Sequence, residues 1–205
     1  MSAGRWIALE GGEGSGKSTQ ARRLAGAIGA VHTREPGGTK VGLRIREVLL
    51  DPSVLALDAR AEALLMAADR AEHVASVVGP ALAMGRTVVS DRSAWSSLAY
   101  QGYGRGLDLE ELRRLSDWAM GGRWPDLAVL VDVPAGEAGA RLAASGRPAD
   151  RLEAEGDGFH SRVREGFSAL AAASPQRWIV VDGMGSEEVV AARVLAAVRG
   201  HFGDG

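Results

Sequence analysis

Gly11-Gly12-Glu13-Gly14-Ser15-Gly16-Lys17-Ser18 fits the pattern G-x-x-x-x-G-K-[ST]. Glycines at these positions let a backbone wrap a phosphate with its own N–H groups. Lys17 then reaches the β- and γ-phosphates, and the Ser18 hydroxyl is placed to ligate Mg²⁺. The motif has meaning only between a strand and a helix. The apolar run Arg5 to Glu10 precedes it, and Lys17 to Ile28 follows as a helical stretch ending at Gly29. That helix directs its positive dipole end at the same phosphates. The motif therefore predicts a nucleotide-binding strand–loop–helix at the start of the chain.

Working outward, short apolar runs alternate with helical patterns. Strands are predicted at Ala30–Thr33, Arg86–Ser90, Asp126–Val133 and Arg177–Val181. Helices are predicted at Val41–Leu50, from the cap Asp58 to about Met84, and at Leu109–Met120, Pro134–Ala144, Phe159–Ala173 and Ser186–Val198. Counting the first run, five apolar strands separated by helices imply an α/β fold. Its core is a five-stranded parallel sheet with helices on both faces. Ligands of such sheets bind beyond the carboxyl ends of the strands. Residues 31–40, 93–107 and 145–157 read as the loops long enough to carry function.

Composition narrows the classes. At 205 residues the chain has the length of one domain, taken as 1–205. Cysteine is absent, which excludes disulfides, thiolate metal sites and a cysteine nucleophile. The net charge of -2 lacks the basic excess of a nucleic-acid binder. No signal peptide or membrane-length apolar run is visible. A soluble, cytoplasmic protein is expected, without nucleic-acid or membrane partners. Lys17 and Lys40 are the only lysines; every other strong base is arginine.

Four of those arginines, Arg34, Arg92, Arg147 and Arg151, stand on segments that a parallel sheet brings toward the phosphate loop. Such a gathering suits an acceptor that is itself a phosphate. Its oxygen is largely anionic at pH 7, so no strong general base is required. The difficulty is repulsion between two anions, which guanidinium groups and Mg²⁺ offset. No guanine-reading Asn-Lys-x-Asp run occurs.

The chain resembles the bacterial thymidylate kinases nearly end to end. The resemblance rests on Glu10-Gly-Gly-Glu-Gly-Ser-Gly-Lys-Ser-Thr19, Thr33-Arg-Glu-Pro-Gly-Gly-Thr39 and Leu64-Leu-Met-Ala-Ala-Asp-Arg-Ala-Glu-His73. It continues through Asp91-Arg92, Ser96 to Gly106, Pro125-Asp126 with Leu130-Val-Asp-Val133, and Asp150-Arg-Leu-Glu153. Within the phosphate-loop nucleoside monophosphate kinases, the second stretch and the Ser96 to Gly106 run are the most family-specific. The resemblance implies transfer of the γ-phosphoryl of ATP to dTMP, with Mg²⁺, in a homodimer. Gly11, Gly12, Glu13, Gly14, Ser15, Gly16, Lys17, Ser18 and Thr19 would hold ATP. Ser18 and Asp91 would serve the metal. Arg34 and Arg92 would hold the dTMP phosphate, and Glu13 would sit near the deoxyribose 3′-hydroxyl. Arg70, with Ser97 and Gln101, would read the thymine edge, and Tyr100 would crowd the ribose 2′ position. Lys17, Arg92, Arg147 and Arg151 would be catalytic, the last two on a lid at about 145–157 that closes over ATP.

Spacing supports one part: Glu62, Met66 and Arg70 recur at i, i+4, i+8 and share a helix face. Two departures stand out. Met66 occupies a position where the family usually has an aromatic residue, and Ser93 follows the Asp91-Arg92 pair where a tyrosine often stands. The residues leave open another deoxynucleoside monophosphate as acceptor, or an ATP-binding module without transferase activity. Plainer readings also exist for single residues. Arg70 would pair with Asp69 or Glu62, and Asp132 and Glu153 would be structural. His32 and His73 would be ordinary polar residues, and Trp95, Trp118 and Trp124 would be packing.

Overall fold

β1 (Trp6–Glu10) is buried along its whole length, as a strand covered on both faces must be. A computed structural model describes residues 4–54, 56–146 and 148–203. In it β1 is the middle of five strands. β2 (Val31–Arg34) and β3 (Val88–Asp91) lie to one side, β4 (Leu127–Asp132) and β5 (Trp178–Asp182) to the other, in the order β2-β3-β1-β4-β5. Every pairing is parallel. The register sets Leu9 and Arg34 both level with Asp91, so the carboxyl ends of β1, β2 and β3 finish at one edge.

Helices close both faces. α1 (Lys17–Ile28) and α9 (Glu187–Phe202) cover one side, where Leu24 and Ala25 join Val190, Val194 and Val198 over Ile7, Leu9 and Val129. α8 (Asp157–Ala173) covers the other, with Phe159, Val163 and Phe167 packed around Leu98 and Tyr100. α2 (Lys40–Leu50), α3 (Ala59–His73), α6 (Leu109–Met120) and α7 (Ala135–Ala144) complete the layers. Asp58 caps α3 by accepting from the N–H groups of Arg60 and Ala61.

The helical stretch predicted from 58 to about 84 is unbroken through Ala83, but it contains a widened turn. α3 ends at His73, a π-type stretch carries the helix over Val74–Val78, and α4 (Gly79–Ala83) continues it. Pro80 explains the widening: its ring cannot sit against the carbonyl of a regular preceding turn, and the wider turn lets Gly79 N–H reach Val74 O. One expectation is corrected. The segment 93–107, expected to be a loop, is mostly helical. Ser93 caps α5 (Ala94–Ser97), and a π-type stretch carries Leu98–Gly104 onward. Its glycines misled the reading, because they serve close packing. A Cβ at Gly104 would lie 2.6 Å from the Phe159 ring, so α8 can approach only over a glycine.

Smaller differences follow tertiary packing. β5 begins and ends one residue later than predicted, and α9 runs on to Phe202. Trp95 and Trp124 pack together, ring centroids 4.7 Å apart. Trp118 does not pack; it is 82% exposed.

Candidate active site

The phosphate loop leaves β1 at Glu10 and enters α1 at Lys17. Gly14 is left-handed (φ 73°), and a Cβ there would collide with the Ala138 carbonyl of α7 at 2.2 Å. Lys17 is buried; its Nζ donates to Gly12 O at 3.2 Å and lies 3.6 Å from a Glu13 carboxylate oxygen. Burial and the nearby Arg92 charge lower the Lys17 pKa.

Arg92 sits just past β3 with a left-handed backbone (φ 72°), a strained state for a side chain with a Cβ. Its Nη1 donates to Gly11 O (3.1 Å) and Ser96 Oγ (3.0 Å). Its Nη2 donates to the Tyr100 hydroxyl (2.8 Å) and to Glu13. The Tyr100 hydroxyl donates to the same Glu13 oxygen at 2.7 Å. Burial alone would raise the Glu13 pKa, but Arg92 and Lys17 hold it far below the usual carboxylate range. Behind this group, Glu10 is fully buried and accepts from Ser93 Oγ (2.7 Å) and Ser96 Oγ (2.5 Å). Burial outweighs those bonds and pushes Glu10 up to about 7.

A cavity of about 500 Å³ opens beside these residues. Lys17, Ser18, Asp91 and Arg92 line it together with Arg70, Ser97, Tyr100, Gln101 and Met66, and Arg34 and Glu13 are also on its wall. All these predicted residues are thus brought to one space. Asp91 Oδ1 is buried without a hydrogen-bond partner. Asp132 instead lines a second cavity of about 550 Å³, between the phosphate loop, α7 and α8.

Arg70 is buried, but not against Asp69 or Glu62. Its Nε donates to Glu35 (2.9 Å) and its Nη2 to Ser97 Oγ (2.9 Å). Glu35 also bonds His73 Nδ1 (2.9 Å), and His73 Nε2 meets Thr33 Oγ1 at 2.7 Å. His73 is therefore a buried support for the arginine. Burial alone would raise the Glu35 pKa, but Arg70 and His73 lower it.

Arg151 lies apart from the phosphate loop's hydrogen bonds. It is 9% exposed, with Nε donating to Leu49 O (2.8 Å) and Nη2 to Glu62 (2.7 Å). Both partners belong to α2 and α3, so in this conformation Arg151 anchors its segment on the acceptor side. Arg147 lies outside the described residues.

Two cavity residues, Arg22 and Arg46, had no sequence signal of their own, and Glu35, though inside the 33–39 stretch, was assigned no role; all three line the acceptor cavity. Arg46 was legible only as a polar residue on a helix, since its role depends on α2 bringing its Nη1 to Pro36 O (3.1 Å). On the far side of the phosphate loop, Arg141 donates to Gly183 O at 3.2 Å.

A β2-β3-β1-β4-β5 parallel sheet, a phosphate loop after β1 and a cavity lined by Arg34, Arg70 and Arg92 together mark a phosphate-loop nucleoside monophosphate kinase. Comparison with known proteins agrees. The thymidylate kinase family model matches residues 9–194. The chain is 52% identical over 203 residues to a thymidylate kinase of Leifsonia xyli, covering 97% of this chain and 96% of that protein. It is 49% identical over 201 residues to one of Pelotomaculum thermopropionicum, covering 96% and 93%. The crystal structure of thymidylate kinase from Ehrlichia chaffeensis superposes with a TM-score of 0.79 at 30% identity, covering 97% of this chain and all of that one. The chain belongs to the thymidylate kinase family.

Proposed function

We propose that this protein transfers the γ-phosphoryl of ATP to dTMP, giving dTDP and ADP. One observation carries the reading: a single cavity joins Lys17 and Ser18 of the phosphate loop to Arg92, Arg34 and an Arg70–Gln101–Met66 pocket. ATP would lie along Gly11–Thr19, with its phosphates on the loop's N–H groups and on Lys17. The dTMP phosphate would rest against Arg92 and Arg34, and thymine against Arg70, Ser97, Gln101 and Met66. The thioether of Met66 packs on a ring face in place of an aromatic residue.

The chemistry needs alignment more than proton transfer. The acceptor oxygen is already anionic, and Arg92 is held by Glu13, Tyr100 and Ser96 where it neutralises both the acceptor and the transferring group. The hard oxygens of Ser18 and of Asp91, whose Oδ1 has no protein partner, suit Mg²⁺, which would offset the charge between the phosphates. Glu13 would accept from the 3′-hydroxyl, and the Tyr100 ring would exclude a 2′-hydroxyl.

The segment at 145–157 would be the lid of a single domain spanning 1–205, with Arg147 and Arg151 closing over ATP. For Arg151 to reach ATP, its bonds to Glu62 and Leu49 would have to be released on closure. Exposed apolar side chains on α2 and α3, among them Val41, Val48 and Leu64, support a homodimer. No helix among the described residues is long and apolar enough to cross a membrane. Incubation with ATP, Mg²⁺ and dTMP, followed by ³¹P NMR, tests the reaction. Appearance of dTDP and ADP supports it; unchanged dTMP refutes it.

A further inference from the structure

The two ends of a glutamine amide are chemically opposite, and which end faces a ligand decides what that ligand must offer. Gln101 is 1% exposed and lines the acceptor cavity. Its Nε2 donates to Glu62 Oε1 at 2.8 Å, while its Oε1 is buried with no partner. Glu62 has no exposed surface and also accepts from Arg105 (3.0 Å) and Arg151 (2.7 Å). Burial would raise its pKa, but these bonds outweigh burial and keep the carboxyl below its ordinary value. An ionised carboxylate only accepts, so the Gln101 nitrogen must face it. The carbonyl oxygen is left for the cavity.

Arg70 supplies the complement. Its Nε is bound to Glu35 and its Nη2 to Ser97 Oγ and Ser93 O, leaving Nη1 as a donor on the same cavity. One fixed donor beside one fixed acceptor matches a pyrimidine with a carbonyl at C4 and a hydrogen on N3. A pyrimidine with an amino group at C4 and a bare N3 is mismatched at both positions.

We infer that Glu62 sets the discrimination between thymine and cytosine, as a positioning residue that fixes the Gln101 amide with its oxygen toward the base. The inference rests on the acceptor reading given above and adds the residue that enforces it. If Glu62 served only to neutralise Arg105 and Arg151, replacing it would lower stability and leave selectivity intact.

Glu62→Gln makes the test. An amide at 62 can present either an oxygen or an NH₂ to Gln101, so both orientations of Gln101 become available. The ratio of kcat/KM for dTMP over dCMP should fall roughly tenfold or more, through a higher dTMP KM and a lower dCMP KM. Binding of each nucleotide without ATP, by calorimetry, should narrow by the same factor. Arg105→Gln removes a partner of Glu62 without freeing Gln101 and should keep the ratio. Should Glu62→Gln not fold, Gln101→Ala should narrow the ratio by the same factor. A parent enzyme that strongly prefers dTMP, with Glu62→Gln or Gln101→Ala retaining the full ratio, overturns this inference alone. A parent enzyme that phosphorylates no dTMP overturns the acceptor reading and this inference together.

Discussion

Arg92, past the end of β3, is bound to Glu13, inside the phosphate loop, and the Tyr100 hydroxyl bonds both. The phosphate loop and the residues past β3 are therefore tied together by side-chain bonds. Groups fixed in this way need little reorganisation as charge shifts in the transfer step.

Arg92→Ala and Lys17→Ala should lower kcat more than they raise the dTMP KM, because their charges matter most as charge shifts in the transition state. A loss of roughly 10²–10³ in kcat is expected for each. Steady-state kinetics check this; an unchanged kcat with a raised KM would assign both residues to ground-state binding.

Arg70→Ala should act mainly on acceptor binding, raising the dTMP KM about tenfold or more. Glu35→Gln should do the same more weakly, because Glu35 holds the Arg70 Nε and His73. An unchanged dTMP KM in Arg70→Ala would remove it from the base pocket.

Glu10 gives a pH signature. Its pKa in the fold, about 7, lies above the ordinary carboxylate value of 4.5. Between these values the folded protein binds more protons at Glu10 than the unfolded chain does. Its contribution is therefore fully present below about pH 4.5 and is lost as pH rises through about 7. Relative to Glu10→Gln, the parent protein should lose on the order of a few kcal/mol of stability between pH 5 and pH 8. Urea unfolding of both proteins at the two pH values reads the difference; parallel pH dependence would contradict it.

Leu64 is 59% exposed on α3. If the apolar surface of α2 and α3 is the dimer interface, Leu64→Asp should yield monomers by sedimentation velocity while retaining the folded spectrum. A variant that sediments like the parent would place the interface elsewhere.

The sheet was legible because buried parallel strands are continuous apolar runs, and the phosphate loop because glycine, lysine and serine spacing has one purpose. The helix over Ala94–Gly104 was not, because Gly102 and Gly104 look like loop residues until Leu109 and α8 are packed over them. The helix from 58 to 84 was legible, but its widened turn at Val74–Val78 needed the consequence of Pro80 to be traced back through the preceding turn. Candidate residues at strand ends converged as their positions implied. The supports did not announce themselves: Glu10, Glu35, Glu62 and His73 are charged or polar residues whose partners are remote in sequence. Arg151 was placed by its neighbourhood in the chain, whereas its bonds reach back to Leu49 and Glu62.

The most direct test is ADP release from ATP and Mg²⁺ with dTMP, dUMP, the 2′-hydroxyl analogue of dTMP, dCMP, dAMP and dGMP compared side by side. The account predicts strong preference for dTMP, showing that Met66 with Arg70 and Gln101 makes a working thymine pocket. Preference for a different acceptor, or turnover with none, would contradict it.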